Sequence, residues 1–123
     1  MTLTRAEEQL MEQIWSREPV FMKELIESYP DPKPATTTIA TLLKRMQDKR
    51  FVSYEQLGNS RRYFSLVKKQ DYFSKHVKGM IKNFFGNSAL QFASFFTRSG
   101  NLTKTELEDL KKIIDTEIKK SKK

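Results

Sequence analysis

Three prolines in five residues, Pro30, Pro32 and Pro34, are followed at once by ATTTIATLLKRMQDKR, and this junction constrains the chain more than any other. Proline fixes φ, lacks an amide donor and pushes the residue before it toward extended geometry, so 30–34 is a stiff connection. Beyond it, Ile39, Leu42, Leu43 and Met46 recur at steps of three, one and three, which is one face of a helix. The opposite face carries Thr37, Thr41, Lys44 and Asp48, with Ala40 and Arg45 on its flanks. One side is therefore a core seam. The other is small hydroxyls and methyls, with two cations a turn later. A helix must be slim to enter the DNA major groove, and Thr, Ala and Lys/Arg can meet base edges, thymine methyls and phosphates. Thr36-Thr37-Thr38 is also a poor helix start, because β-branched side chains lose χ1 freedom there. Local rules broken at one place hint at function. The candidate DNA-facing residues are Thr37, Thr38, Ala40, Thr41, Lys44 and Arg45. An ordinary amphipathic helix with a solvated face would have the same seam, so the flanking segments must decide.

Charge is the first of these arguments. The 123-residue chain has a formal net charge of +8, distributed unevenly. Residues 1–32 carry three Lys/Arg against seven Asp/Glu, whereas residues 33–69 carry nine against two. The positive field begins at the helix just described, as an acidic partner would require. There are no cysteines, which excludes disulfides, thiolate chemistry and sulfur-ligated zinc, and the single His76 cannot build a triad or a metal centre. No nucleophile–base set can be assembled. The expectation is a non-enzymatic protein with no catalytic residues, no metal site and no cofactor. The polar start MTLTRAEEQ is not a secretory signal, and no apolar run approaches bilayer length, so a cytoplasmic protein without membrane insertion is expected.

Upstream, Thr4 and Glu7 form a T-x-x-E capping box opening a first helix to about residue 16, with Ala6, Leu10, Met11 and Ile14 inward and Trp15 beside them. Glu18-Pro19 breaks it, residues 19–21 are extended, and 22–29 form a brief second helix anchored by Leu25 and Ile26. Downstream, 51–57 is rich in β-formers, Gly58-Asn59-Ser60-Arg61 is a turn, and 62–66 is extended again. Three helices followed by a hairpin is the order of a winged helix. The hairpin is the wing, and Arg61 and Arg62 at its tip suit phosphate contact.

Residues 70–123 are helical and aromatic, holding six of the nine phenylalanines. A helix over about 71–85 carries the stripe Phe73, Val77, Met80, Ile81 and Phe84, with Tyr72 and Phe85 at its margins. Gly86-Asn87 stops it. Ser88 and Gln91 read as a second capping box, opening a short helix with Leu90, Phe92 and Phe96. Thr103 and Glu106 read as a third, opening a helix whose apolar side includes Leu107, Leu110, Ile113 and Ile114. So short a segment buries too little of its own surface to fold well alone. A second copy would cover it, since two-fold pairing is the commonest way to close such a face. The expected fold is mainly α with a small β-hairpin: a winged helix-turn-helix domain over 1–69 and a helical dimerisation region over 70–123.

The order of motifs resembles the penicillinase-repressor family, the BlaI/MecI/CopY group of transcriptional repressors. The residues that carry the resemblance are LTRAEEQLMEQIW, TTTIATLLKRMQDKRFV, GNSRRYFSL, MIKNFFGNS and LTKTELEDLKKII. The resemblance implies a homodimer on a palindromic double-stranded DNA operator, with the third helix in the major groove and the C-terminal helices pairing. Some members hold β-lactam-resistance genes silent until a membrane sensor metalloprotease triggers cleavage at an Asn-Phe bond, and Gln91-Phe92 sits at the corresponding place here. The chain departs from the family pattern at Ala40, often basic, at Gln91 in place of Asn, and in lacking the C-terminal cysteines of copper-responsive relatives. The rival readings are a winged-helix protein-interaction module and an RNA-binding protein, which would expose aromatics for base stacking.

Overall fold

The computed structural model describes residues 2–121. Its Cα positions divide into two compact units, Met1–Ser74 and Lys75–Lys123. The elements in order are α1 (Arg5–Arg17), β1 (Val20–Phe21), α2 (Met22–Glu27), α3 (Thr36–Asp48), β2 (Val52–Leu57), β3 (Ser60–Ser65), α4 (Lys69–Phe84), α5 (Ala89–Ser99) and α6 (Lys104–Lys120). The three strands form an antiparallel sheet in the order β1-β3-β2. This is a mainly helical winged helix.

In the first unit the capping box at Thr4 forms in both directions: Thr4 N donates to Glu7 Oε1 at 2.7 Å and Glu7 N to Thr4 Oγ1 at 3.2 Å. Closing it turns Glu7 inward. The buried stripe of α1 is Glu7, Leu10, Met11 and Ile14, and Ala6, expected inside, is exposed. The spacing explains the exchange, since 7, 10, 11 and 14 follow the i, i+3, i+4, i+7 pattern and Ala6 lies off it. Ile39, Leu42, Leu43 and Met46 of α3 are buried, joined in one core by Leu25, Val20, Val52, Tyr63 and Phe51. Truncating a fully buried leucine such as Leu43 to Ala costs about 2–5 kcal/mol, so this seam fixes α3 against its neighbours.

The extended piece after Pro19 becomes β1, whose Val20 and Phe21 pair with Tyr63 and Arg62. The wing is tighter than the sequence indicates. Its loop is Gly58-Asn59 alone, and β3 already begins at Ser60. Gly58 has a φ of 61°, and glycine is favoured at the first central position of a two-residue hairpin loop. Arg61 and Arg62 therefore lie on a strand, not at the tip.

The start of α4 belongs to the first unit. Trp15 Nε1 donates to Val67 O at 2.8 Å, Lys69 Nζ to Glu12 at 3.0 Å and the Tyr72 hydroxyl to Glu8 at 2.7 Å. Tyr72, expected at the margin of its helix, is buried, with its ring edge-on to Phe51. The reason is tertiary: α1 supplies both an aromatic wall and a carboxylate acceptor for it.

In the second unit, Phe85 meets Phe92 and Phe95 at centroid distances of 5.5 Å, and Phe92 stacks on Phe96 at 6.1 Å. Thr103 and Glu106 form a full capping box. At Ser88 only half is present, with Ser88 Oγ accepting from Gln91 N at 3.1 Å. Among the described residues from 75 onward, none is buried. No helix among the described residues is long and apolar enough to cross a membrane.

Candidate nucleic-acid interface

The outer face of α3 follows from its inner one. With the 39/42/43/46 seam buried, Thr37, Thr38, Thr41, Lys44 and Arg45 are exposed and Ala40 is half-buried. The helix starts without a side-chain cap at Ala35. Thr41 Oγ1 donates back to Thr37 O at 2.9 Å, a bond one turn along the same helix. Lys44 Nζ lies 2.8 Å from Asp48 Oδ1, one turn further along. The face is thus narrow at its N-terminal end and charged at its C-terminal end.

The wing presents two differently held arginines. Arg62 faces Glu55 across the β2–β3 ladder and donates to Glu55 Oε1 through both Nε, at 3.0 Å, and Nη2. Arg61 lays its guanidinium over the Tyr54 ring, 4.3 Å from the centroid. A planar cation stacked on an aromatic face loses torsional freedom but keeps its N–H edges for an acceptor. The loop itself is closed by Gln56 Nε2 donating to Gly58 O at 2.9 Å.

One cation was missed by the sequence reading. Lys23, in the net-acidic first segment, lines a half-open cavity of about 570 Å3 together with Phe21, Met22, Ser60 and Arg61. It reaches the wing because β1 pairs with β3, and no local pattern announces a two-residue strand. The aromatics an RNA-binding sheet would need are elsewhere engaged: Tyr63 is 2% exposed, and Tyr54 packs against Tyr63 and lies under Arg61. Among the described residues, no group of three or more His, Cys, Asp or Glu could hold a metal ion.

The residues expected to pair two copies lie as follows. Phe73 falls in the first unit, its ring 5.9 Å from Trp15. In the second, Phe84 is 79% and Leu90 81% exposed, while Ile81, Phe92 and Leu110 are half-buried. Val77, Met80, Phe96, Leu107 and Ile114 are also exposed. Gln91 and Phe92 sit in the first turn of α5, Gln91 exposed.

A slim helix face followed by a two-stranded wing with basic residues defines a protein of the winged helix-turn-helix class. The sequence profile described as penicillinase repressor matches residues 3–116, and the chain belongs to that family. It is a DNA-binding transcriptional regulator. A curated relative, the penicillinase repressor of Staphylococcus aureus, is 25% identical over 119 residues, spanning 96% of this chain and 94% of its own. Two solved structures are similar. One, a putative MarR-like transcription regulator from Bacillus cereus, has 18% identity and a TM-score of 0.46 and is matched over 98% of this chain and 78% of its own. The other, the transcriptional regulator SlyA, has 16% identity and a TM-score of 0.48 over 97% and 76%. At such scores it is the element order of the chain itself that defines its fold.

Proposed function

We propose that this chain represses transcription as a homodimer on an inverted-repeat operator, reading bases with the Thr37–Lys44 face of α3 and gripping phosphates with the wing. The observation that carries the reading is the exposed row Thr37, Thr41 and Lys44 standing opposite the buried seam of the same helix. Phosphate contacts from Arg45, Arg61 and Arg62 supply affinity, and the side chains of the Thr37–Lys44 face supply sequence choice. The dimer is supported by the apolar side chains of α5 and α6, none of which is buried within one chain.

The curated relative's name ties that protein to penicillinase expression. We extend this to β-lactam-resistance or related genes as the regulated class here, with release by a cut at Gln91-Phe92 that follows activation of a membrane sensor metalloprotease. Severing α6 from the chain would remove part of the pairing surface.

Selection of bound duplexes from a random pool tests the reading directly. The unaltered protein should enrich an inverted repeat with half-sites about one helical turn, or a multiple, apart. Lys44→Ala should weaken that binding, and Thr41→Tyr should block groove entry. If both variants bind and select like the parent, the helix does not read DNA. A protein-interaction module would enrich no sequence at all.

A further inference from the structure

Within the basic stretch 33–69 there are only two acids, Asp48 and Glu55, and each is ion-paired to a residue of the candidate DNA interface. Asp48 holds Lys44 at 2.8 Å, and Glu55 holds Arg62 through two N–H groups. We infer that these two carboxylates are built-in competitors for DNA: they occupy Lys44 and Arg62 in the free protein and are exchanged for acceptors on the duplex on binding, so they set its affinity. The inference rests on the DNA-binding reading above.

Local stability does not account for Asp48. It is the last residue of α3, where the helix dipole disfavours negative charge. Its pair with Lys44 also runs in the weaker orientation, with the cation N-terminal to the acid. An acid that its own helix disfavours, placed against a candidate DNA-contacting cation, is better explained by what it does to that cation. Glu55 sits directly opposite Arg62 in the strand register. An arginine donating two N–H groups to a carboxylate oxygen makes charge-assisted hydrogen bonds of the kind it makes to a phosphate, so the two acceptors compete for the same donors.

The pairs are built to open. The Lys44 and Asp48 side chains are 72% and 63% exposed, and those of Arg62 and Glu55 are 37% and 49%. Exposed pairs of this kind are weak and screened by salt. They cannot block DNA, whose many phosphates act together, but each takes a share from the binding constant. For Arg62 the cost falls alike on every sequence, because it concerns a phosphate contact and not a base contact.

The experiment is a double-mutant cycle on the full chain, measuring affinity for a random-sequence duplex and for a selected site at several salt concentrations. Glu55→Gln and Asp48→Asn should each raise affinity for both duplexes at low salt, by up to about fivefold, and the gain should shrink as salt rises. In an Arg62→Ala background Glu55→Gln should give no gain, and in a Lys44→Ala background Asp48→Asn should give none. Unchanged or weakened binding by the single variants would overturn the inference. So would a gain that persists without the cation, since that is only a less negative surface. Absence of duplex binding by the unaltered protein would instead overturn the DNA reading, and this inference with it.

Discussion

The ammonium of Lys49, at the C-terminal cap of α3, lies 2.6 Å from a carboxylate oxygen of Glu7, which is 0% exposed in the first turn of α1. Lys49 also donates to Thr2 O at 3.1 Å. The start of the chain and the end of the candidate recognition helix are thereby fastened at one point. Burial alone would push the Glu7 carboxyl up, but the Lys49 and Thr4 hydrogen bonds outweigh it and hold it below the ordinary carboxylate range.

Lys49→Met should therefore destabilise the fold through Glu7, not through lost packing. Breaking a buried pair leaves an uncompensated charge, and a loss of about 3 kcal/mol is expected, at the low end because the Lys49 side chain is 23% exposed. Chemical denaturation at neutral pH measures it. Adding Glu7→Gln should recover much of the loss, and a double variant as unstable as Lys49→Met would argue that the lysine acts independently.

The same pair makes a prediction about acid. A carboxyl whose folded pKa is depressed contributes stability fully above its unfolded pKa, and the contribution is lost as pH falls through the folded value. Stability should thus fall as pH drops below the ordinary glutamate range. Glu7→Gln should flatten that part of the curve, read from denaturation midpoints across the acid limb.

Arg50 occupies a position that favours glycine. After α3 its φ is 64°, with Arg50 N bonded to Gln47 O and Phe51 N to Met46 O, both at 2.9 Å. This is the Schellman ending, whose left-handed residue is usually Gly. Arg50→Gly should stabilise the protein by about 0.5–1 kcal/mol, a gain visible as a raised melting temperature. A lowered one would show that the arginine side chain contributes more than its backbone strain costs.

Pairing is tested by sedimentation. At micromolar concentration and without DNA the protein should run at twice the 14.5 kDa chain mass. Replacing the exposed Phe84 and Leu90 by Ser should shift it toward the monomer without unfolding the first unit, whose core holds neither residue. A full-length species that stays monomeric would rule out the homodimer.

Proteolysis should follow backbone geometry. Proteases bind extended chain, and Gln91-Phe92 lies within α5, so a general protease should cut first in the connections at 86–88 and 100–103. Fragment masses after brief digestion locate the cuts. Early cutting at 91–92 would mean that the first turn of α5 opens readily.

What the sequence determined was periodic or local. The 39/42/43/46 seam and the capping at Thr4 and Thr103 rest on spacing and local pairing, and each has its expected form; Gly58 does open the wing's turn, but that turn is two residues and not four. Glu7 continues the 10/11/14 stripe, yet Ala6 was expected inside in its place, because an acid there made little sense without its partner. That partner is 42 residues away. Only the tertiary structure could join Glu7 to Lys49, bury Tyr72 against α1, bring Lys23 beside the wing through a two-residue strand, and set Arg61 on Tyr54. Periodicity reports which face of an element turns inward. It carries no information about which element waits there, and that choice is made by packing between segments distant in the chain.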